Sequence, residues 1–204
     1  LPLYEKLIQQ LVDTGKVYAC NCSRKLITKN TGNGLYQGTC RHKNISLNQP
    51  GVNWRIQVDD EAVIAFDDEL LGTQLLQPAA LMGDFVIRRR NGLPSYQIAS
   101  LADDIHFGIN FIVRGEDLLA STAAQLYLAK LIHATDFLTA QFTHHPLLKS
   151  DAGEKLSKTA GSGIVTHTIL QSKDMQSVWQ QIVQQLGKAL PAKGISQVSD
   201  LLSR

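Results

Sequence analysis

All three cysteines of the chain lie between Cys20 and Cys40, as Cys20-Asn21-Cys22 followed by a lone Cys40. They sit in a stretch from Val17 to about Gly51 that is rich in Asn, Thr, Gly and Lys and shows little hydrophobic period. Such a stretch has too few apolar residues for a core of its own and reads as irregular chain held by a staple. An odd, clustered set of thiols fits a metal site in a reducing compartment better than a disulfide framework. Zinc takes four ligands in a tetrahedron, with each sulfur at about 2.3 Å, so three thiolates leave one ligand to find. Ligand frequency favours His42; Tyr36, four residues before Cys40, offers a phenolate oxygen that a metal can stabilise. Three cysteines buried as small apolar side chains is the competing reading, because C-x-C with a remote Cys is less specific than paired C-x-x-C.

The rest of the chain alternates helical and extended patterns. Leu3, Leu7, Ile8 and Leu11 recur at helical spacing and Gly15 follows where a helix would stop. Trp54 to Val58, Ala62 to Phe66 and Asp84 to Arg88 read as short strands of a small antiparallel sheet. A helix is expected over Leu93 to Asp104, entered through Pro94, then a buried strand over Asn110 to Arg114, then a helix over Ser121 to Ile132 capped by Ser121 or Thr122. Phe142 to Leu147 leads into a polar loop and two further helix-like segments, around Asp174 to Leu186 and Ile195 to Leu202. This order predicts an α/β fold. With 44% hydrophobic and 19% charged residues, the chain can bury one good core and a smaller appendage. A net charge of +2 permits a nucleic-acid partner without requiring one. No run of about 18 apolar residues and no signal-peptide pattern in Leu1 to Gln10 is present, so a cytoplasmic location without membrane partners is expected.

Two further segments carry chemistry. Gly153-Glu154-Lys155-Leu156-Ser157-Lys158-Thr159 places two lysines around a serine between glycines, which suits phosphates as well as it suits a solvated surface loop. There Lys158 can meet the charge that builds on a leaving pyrophosphate. Arg88 to Arg90, followed by Leu93-Pro94-Ser95-Tyr96-Gln97, joins a basic run to a helix start and directs Tyr96 toward an anionic ligand. Arg114 ends an apolar strand, where open α/β sheets bind ligands, and its fork matches a carboxylate. An ion pair with Glu116, Asp117 or Asp104 is the plainer role for Arg114, as a solvated strand end is for Arg88 to Arg90. Asp103 and Asp104 point in different directions on a helix and read as cap or pairing residues. His106, His133, His144 and His145 have no partner at metal or triad spacing and are assigned core or surface roles.

Taken together and in order, six segments resemble the glutamyl branch of class I aminoacyl-tRNA synthetases. They are Tyr18 to Arg24, Tyr36 to Arg41, Gly83 to Arg89, Leu93 to Gln97, Val113 to Leu118, and Lys155 to Lys158. Within that branch the chain is most similar to the glutamyl-queuosine tRNA(Asp) synthetases, which lack the anticodon-binding domain; the short stretch after Lys158 is the discriminator. The resemblance implies a partial class I Rossmann-type core with an inserted zinc-binding module and a helical C-terminal tail. Its parts would be 1–16 as a core helix, 17–92 as the zinc-binding and acceptor-side insertion, 93–160 as the second half of the core with a KMSKS-type loop, and 161–204 as the tail.

The same resemblance moves the fourth zinc ligand from His42 to Tyr36, beside Cys20, Cys22 and Cys40. It implies that Tyr96 and Arg114 contact glutamate, and that Lys158 is the catalytic, ATP-contacting lysine of a loop containing Lys155, Leu156, Ser157 and Thr159. The implied reaction activates glutamate with ATP, accompanied by Mg²⁺, and passes it to queuosine in the anticodon loop of tRNA(Asp), in a protein that is a monomer when complete. Zinc would be structural. The HIGH-type motif of the family does not precede Leu1, so the 204-residue chain alone is expected not to form adenylate at a useful rate. Two alternatives remain: a fragment of a glutamyl-tRNA synthetase, and a non-catalytic zinc- and RNA-binding module derived from a synthetase.

Overall fold

The helical spacing at the start is realised in α1 (Pro2–Asp13), which buries Leu7, Ile8 and Leu11 and ends just before Gly15 at φ 73°. The computed structural model describes residues 2–32 and 34–147, nearly all within one compact unit, Leu1–His144. Along the chain follow β1 (Val17–Cys20), α2 (Arg24–Thr31), β2 (Asn53–Ile56), β3 (Ile64–Asp68), β4 (Gly72–Leu76), α3 (Pro78–Met82) and β5 (Val86–Arg88). After these come α4 (Tyr96–His106), β6 (Phe111–Gly115), α5 (Leu119–Leu131), α6 (Thr135–Leu138) and β7 (Gln141–His145). The α/β expectation holds.

Two sheets organise these elements. The first is antiparallel, ordered β1-β2-β5, with Val17 opposite Ile56 and Cys20 opposite Asn53. Its register slips between Trp54 and Arg55, where β2 meets β5. The second, ordered β4-β3-β7-β6, is mixed: β3 runs antiparallel to β4 and parallel to β7. The predicted strand over Ala62 to Phe66 therefore belongs to a different sheet from its two neighbours in the prediction. At the β3–β4 turn the Asp68 carboxylate accepts the amides of Leu70 and Leu71 at 3.1 and 3.0 Å, an Asx-type turn that closes the hairpin.

One apolar core spans both sheets and α1, α4 and α5, with Leu11, Ile56, Ile64, Ile98, Leu101, Leu128 and Phe142 all withdrawn from water. A second, smaller core consists of Cys20, Cys22, Ile27, Tyr36 and Cys40. So the thiols are the interior of their own region, which has almost no other apolar material to bury.

Four expectations are corrected. The stretch from Val17 to Gly51 is not irregular throughout, since it contains β1 and α2. Its helix is set by ends rather than by period: Ser23 accepts the Leu26 amide at 3.2 Å, Gly32 closes it, and Ile27 is its only buried residue. The strand at 111–115 is buried on one face only; Phe111 and Val113 are 50% and 57% exposed, whereas Ile112 and Arg114 are buried. Helix α5 begins at Leu119 after a 3₁₀ turn at Glu116–Leu118, so Thr122 lies inside it and uses its hydroxyl for a tertiary contact instead of a cap. Pro94 precedes α4 but pairs with Arg88 in an isolated bridge, and the helix starts two residues later.

Candidate functional site

The sulfur atoms of Cys20, Cys22 and Cys40 all lie within 4.8 Å of one another and are buried. Cys22 and Cys40 Sγ are 3.6 Å apart, close to the ~3.8 Å that two sulfurs keep when each is about 2.3 Å from a tetrahedral metal. β1 delivers Cys20, the chain before Ser23 delivers Cys22, and a turn after Gly38 brings back Cys40, whose amide donates to the Tyr36 hydroxyl at 2.8 Å. His42 is exposed and outside the group of donors.

Burial pushes the Cys22 thiol up to about 11, reinforced by its hydrogen bond with Cys40. Burial acts on Cys20 in the same sense, but Tyr36, the Cys22 amide and Arg55 together outweigh it and bring that thiol below its ordinary value. Burial, then hydrogen bonds with Cys20 and Cys40, raise the Tyr36 phenol far above its usual range. Without a metal Cys22 and Tyr36 are therefore held in their protonated forms, and a cation among these donors would favour the thiolates. The donor set fits a tetrahedral, sulfur-rich metal.

This small core is fastened to the large one by Asp84, a residue that no pattern in the sequence marks. Arg41 reaches both carboxylate oxygens through Nε and Nη2, at 2.6 and 2.7 Å, and the Val58 amide donates at 2.9 Å. The Tyr18 hydroxyl donates to the same carboxylate. Beside it Gly83 pairs with Tyr36 at φ 56° and ψ −154°, a region open in practice to glycine alone, and an added Cβ would run into the Tyr36 carbonyl oxygen.

A second polar assembly crosses the interior of the mixed sheet. Arg114, 8% exposed on β6, donates through Nη1 to Thr122 Oγ1 at 3.1 Å and Gln125 Oε1 at 2.7 Å. Through Nη2 it reaches Ser100 Oγ at 3.1 Å and Asp104 Oδ2 at 3.3 Å. Of the three carboxylates considered from sequence, Asp104 is thus the ion-pair partner shown. Thr122 Oγ1 stands 2.9 Å from His144 Nε2, and His144 Nδ1 stands 2.6 Å from Asp68 Oδ2.

Direction follows from donor and acceptor supply. Burial would raise the Asp68 carboxyl, but His144 and the amides of Leu71, His144 and Leu70 jointly hold it below its ordinary value. An ionised Asp68 only accepts, so His144 donates to it from Nδ1, while Thr122, accepting from Arg114, is hydrogen-bonded with Nε2. Arg114, Thr122, His144 and Asp68 form one satisfied relay. His144 is fully buried, which agrees with a core role and explains why no ligand-like spacing marked it.

Tyr96 is half-exposed at the first turn of α4, near enough to act on the Arg114 charge. Burial lowers the Arg114 pKa and Tyr96 and Asp104 oppose the shift. Asp103 accepts from Tyr4 Oη at 3.3 Å, so both adjacent aspartates are pairing residues as expected. Arg88 lies over the Trp54 ring, 4.7 Å from its centroid, while Arg89 and Arg90 are exposed. Lys155, Leu156, Ser157, Lys158 and Thr159, and the segments predicted as helical further on, lie outside the described residues.

Comparison with known proteins shows the family. The sequence model of class I tRNA synthetases (E and Q), catalytic domain, matches residues 1–190, and the chain belongs to that family. It is 39% identical over 158 residues to the Glutamyl-Q tRNA(Asp) synthetase of Acinetobacter baylyi, covering 78% of this chain and 51% of that protein. It is 37% identical over 196 residues to the protein of the same name from Burkholderia orbicola, covering 91% and 62%. The chain therefore spans roughly half to three-fifths of the length of these curated relatives. In fold it resembles the glutamate-tRNA synthetase of Elizabethkingia anophelis, with a TM-score of 0.63 at 21% identity, over 79% of this chain and 36% of that one.

Proposed function

We propose that the chain is part of an enzyme that activates glutamate with ATP and transfers it to the queuosine base in the anticodon loop of tRNA(Asp). The observation that carries this reading is its 36% to 40% identity with relatives named for glutamyl-Q tRNA(Asp) synthesis, within a family of class I catalytic domains. In the first step a glutamate carboxylate oxygen attacks the α-phosphorus of ATP and the bond to pyrophosphate breaks. In the second the glutamyl group passes to the RNA base and AMP leaves.

Arg114 holds one glutamate carboxylate and Tyr96 shapes the pocket beside it. Among the described residues the ion pair of Arg114 with Asp104 is its longest hydrogen bond at 3.3 Å, and so the contact most readily exchanged for a ligand. The relay behind it, through Thr122 to His144 and Asp68, holds the guanidinium in place, which fixes substrate orientation before the reaction. Lys158, within the loop of Lys155, Leu156, Ser157 and Thr159, meets the charge that develops on the phosphates of the ATP–Mg²⁺ complex. Cys20, Cys22, Cys40 and Tyr36 would hold a Zn²⁺ ion whose contribution is to organise the fold of its region.

The test is glutamate-dependent ATP–pyrophosphate exchange without tRNA on the full-length protein. Exchange that falls about 100-fold or more in Lys158→Ala is expected, in line with the loss of one transition-state contact to developing charge. Absence of exchange in the wild type contradicts the reading. The acceptor is settled separately by labelled glutamate, which should join tRNA(Asp) that carries queuosine and not the same tRNA lacking it.

A further inference from the structure

Arg55 on β2 is only 7% exposed, and none of the ion pairs among the described residues includes it. It donates through Nη1 to the Asp84 carbonyl at 2.5 Å, while its buried Nε finds no partner. The Asp84 carboxylate itself is taken up by Arg41, the Val58 amide and the Tyr18 hydroxyl. A guanidinium withdrawn from water without an anion is costly, so the charge on Arg55 calls for a negative partner that hydrogen bonds to carbonyls do not supply.

What surrounds Arg55 is the donor set of the thiol core. Its guanidinium lies over the Tyr36 ring, 3.9 Å from the centroid. In the register of β1 with β2 it stands opposite Tyr18, so Cys20, two residues further along β1, shares its face of the sheet. Its charge is close enough to help hold the Cys20 thiol below its ordinary value. The protonated Cys22 and Tyr36 offer it no charge in return. Three thiolates about a divalent cation do, because they leave the centre with a net negative charge of one.

We infer that Arg55 is the counter-charge of the metal centre, a positioning residue outside the ligand set that offsets the excess negative charge of Cys20, Cys22 and Cys40 on Zn²⁺ and so tightens metal binding. The inference rests on the proposed zinc ligation. Groups that touch the ligands rather than the metal set its affinity by this route, through the charge and orientation of the ligating atoms. Because the same guanidinium holds the Asp84 carbonyl, the counter-charge is also anchored at the joint between the two cores.

The test is the zinc Kd of the full-length protein, measured by competition with a chelating indicator, in the wild type, Arg55→Gln, Arg55→Lys and Arg24→Gln. Arg55→Gln should bind zinc about tenfold or more weakly, and Arg55→Lys, which keeps the charge, should restore most of the affinity. Arg24→Gln removes an exposed cation of the same region and should bind as the wild type does. With Co²⁺ in place of zinc, the thiolate charge-transfer absorption of Arg55→Gln at saturating metal should match the wild type, since the ligands are unchanged. Equal affinity in Arg55→Gln and the wild type, a loss as large in Arg55→Lys or Arg24→Gln, or a collapsed Co²⁺ spectrum overturns the inference and leaves the zinc ligation standing. No zinc binding by the wild type removes the ligation, and the inference with it.

Discussion

The thiol core and the Arg114–His144 relay are both buried, both polar and both tied to an aspartate, but they are held in opposite ways. The relay is complete: Asp68, His144, Thr122 and Arg114 each find a partner inside the protein, across 76 residues of separation between Asp68 and His144. The thiol core is built from residues close in sequence and gathers three sulfurs within 4.8 Å of one another. Its attachment to the large core runs through Asp84 and Arg41. A polar cluster that satisfies itself needs nothing further to persist, whereas a cluster of thiols in a region with little apolar surface needs a ligand.

Breaking either aspartate should have the largest effect. Asp68→Ala strands the His144 Nδ1 proton and the Leu70 and Leu71 amides, and Asp84→Ala strands Arg41; each should cost about 3–5 kcal/mol in denaturant unfolding. Gly83→Ala comes next, with about 1–3 kcal/mol from backbone strain alone and more from the contact with Tyr36. Gly15→Ala is its control, because nothing lies near the added Cβ there; it should cost only about 1 kcal/mol. On the proposed zinc ligation, withdrawing the metal should lower stability by about 2.7 kcal/mol when free metal had been about 100-fold above its Kd. The surface pair Lys16–Asp59, at 2.7 Å but half open to solvent on the aspartate side, should contribute no more than ~0.5 kcal/mol in a double-mutant cycle.

Acid acts on the relay through Asp68. The folded Asp68 pKa lies below its unfolded value, so its stabilisation is present above the unfolded pKa and is lost as pH falls through the folded one. Stability of the wild type should therefore drop more steeply below about pH 4 than that of Asp68→Asn, which has no carboxylate at that position to protonate. Equal slopes in the two proteins would remove Asp68 from the acid response.

Legibility in the sequence divides along the same line. The thiol core could be read because cysteine has few roles, and Cys20, Cys22 and Cys40 announce theirs at short spacing. Arg114 could be singled out at a strand end, but its partners could not be chosen, since pairing with Asp104 depends on how α4 lies against β6. Asp68 and His144 were invisible as a pair because a parallel crossover brings β3 beside β7, and no local pattern records that. Asp84 stood in a segment that carried family resemblance, yet its role arises only when Arg41 and Tyr18 fold onto it. Helix α2 escapes an apolar period because its signal lies in Ser23 and Gly32.

Amide hydrogen exchange on the full-length protein, with and without a zinc chelator, tests the central contrast most directly. Chelation should strip protection from 17–20 and 24–31 while leaving 111–115 and 141–145 as protected as before. Loss of protection in both regions together, or in neither, would contradict a self-sufficient relay beside a metal-dependent thiol core.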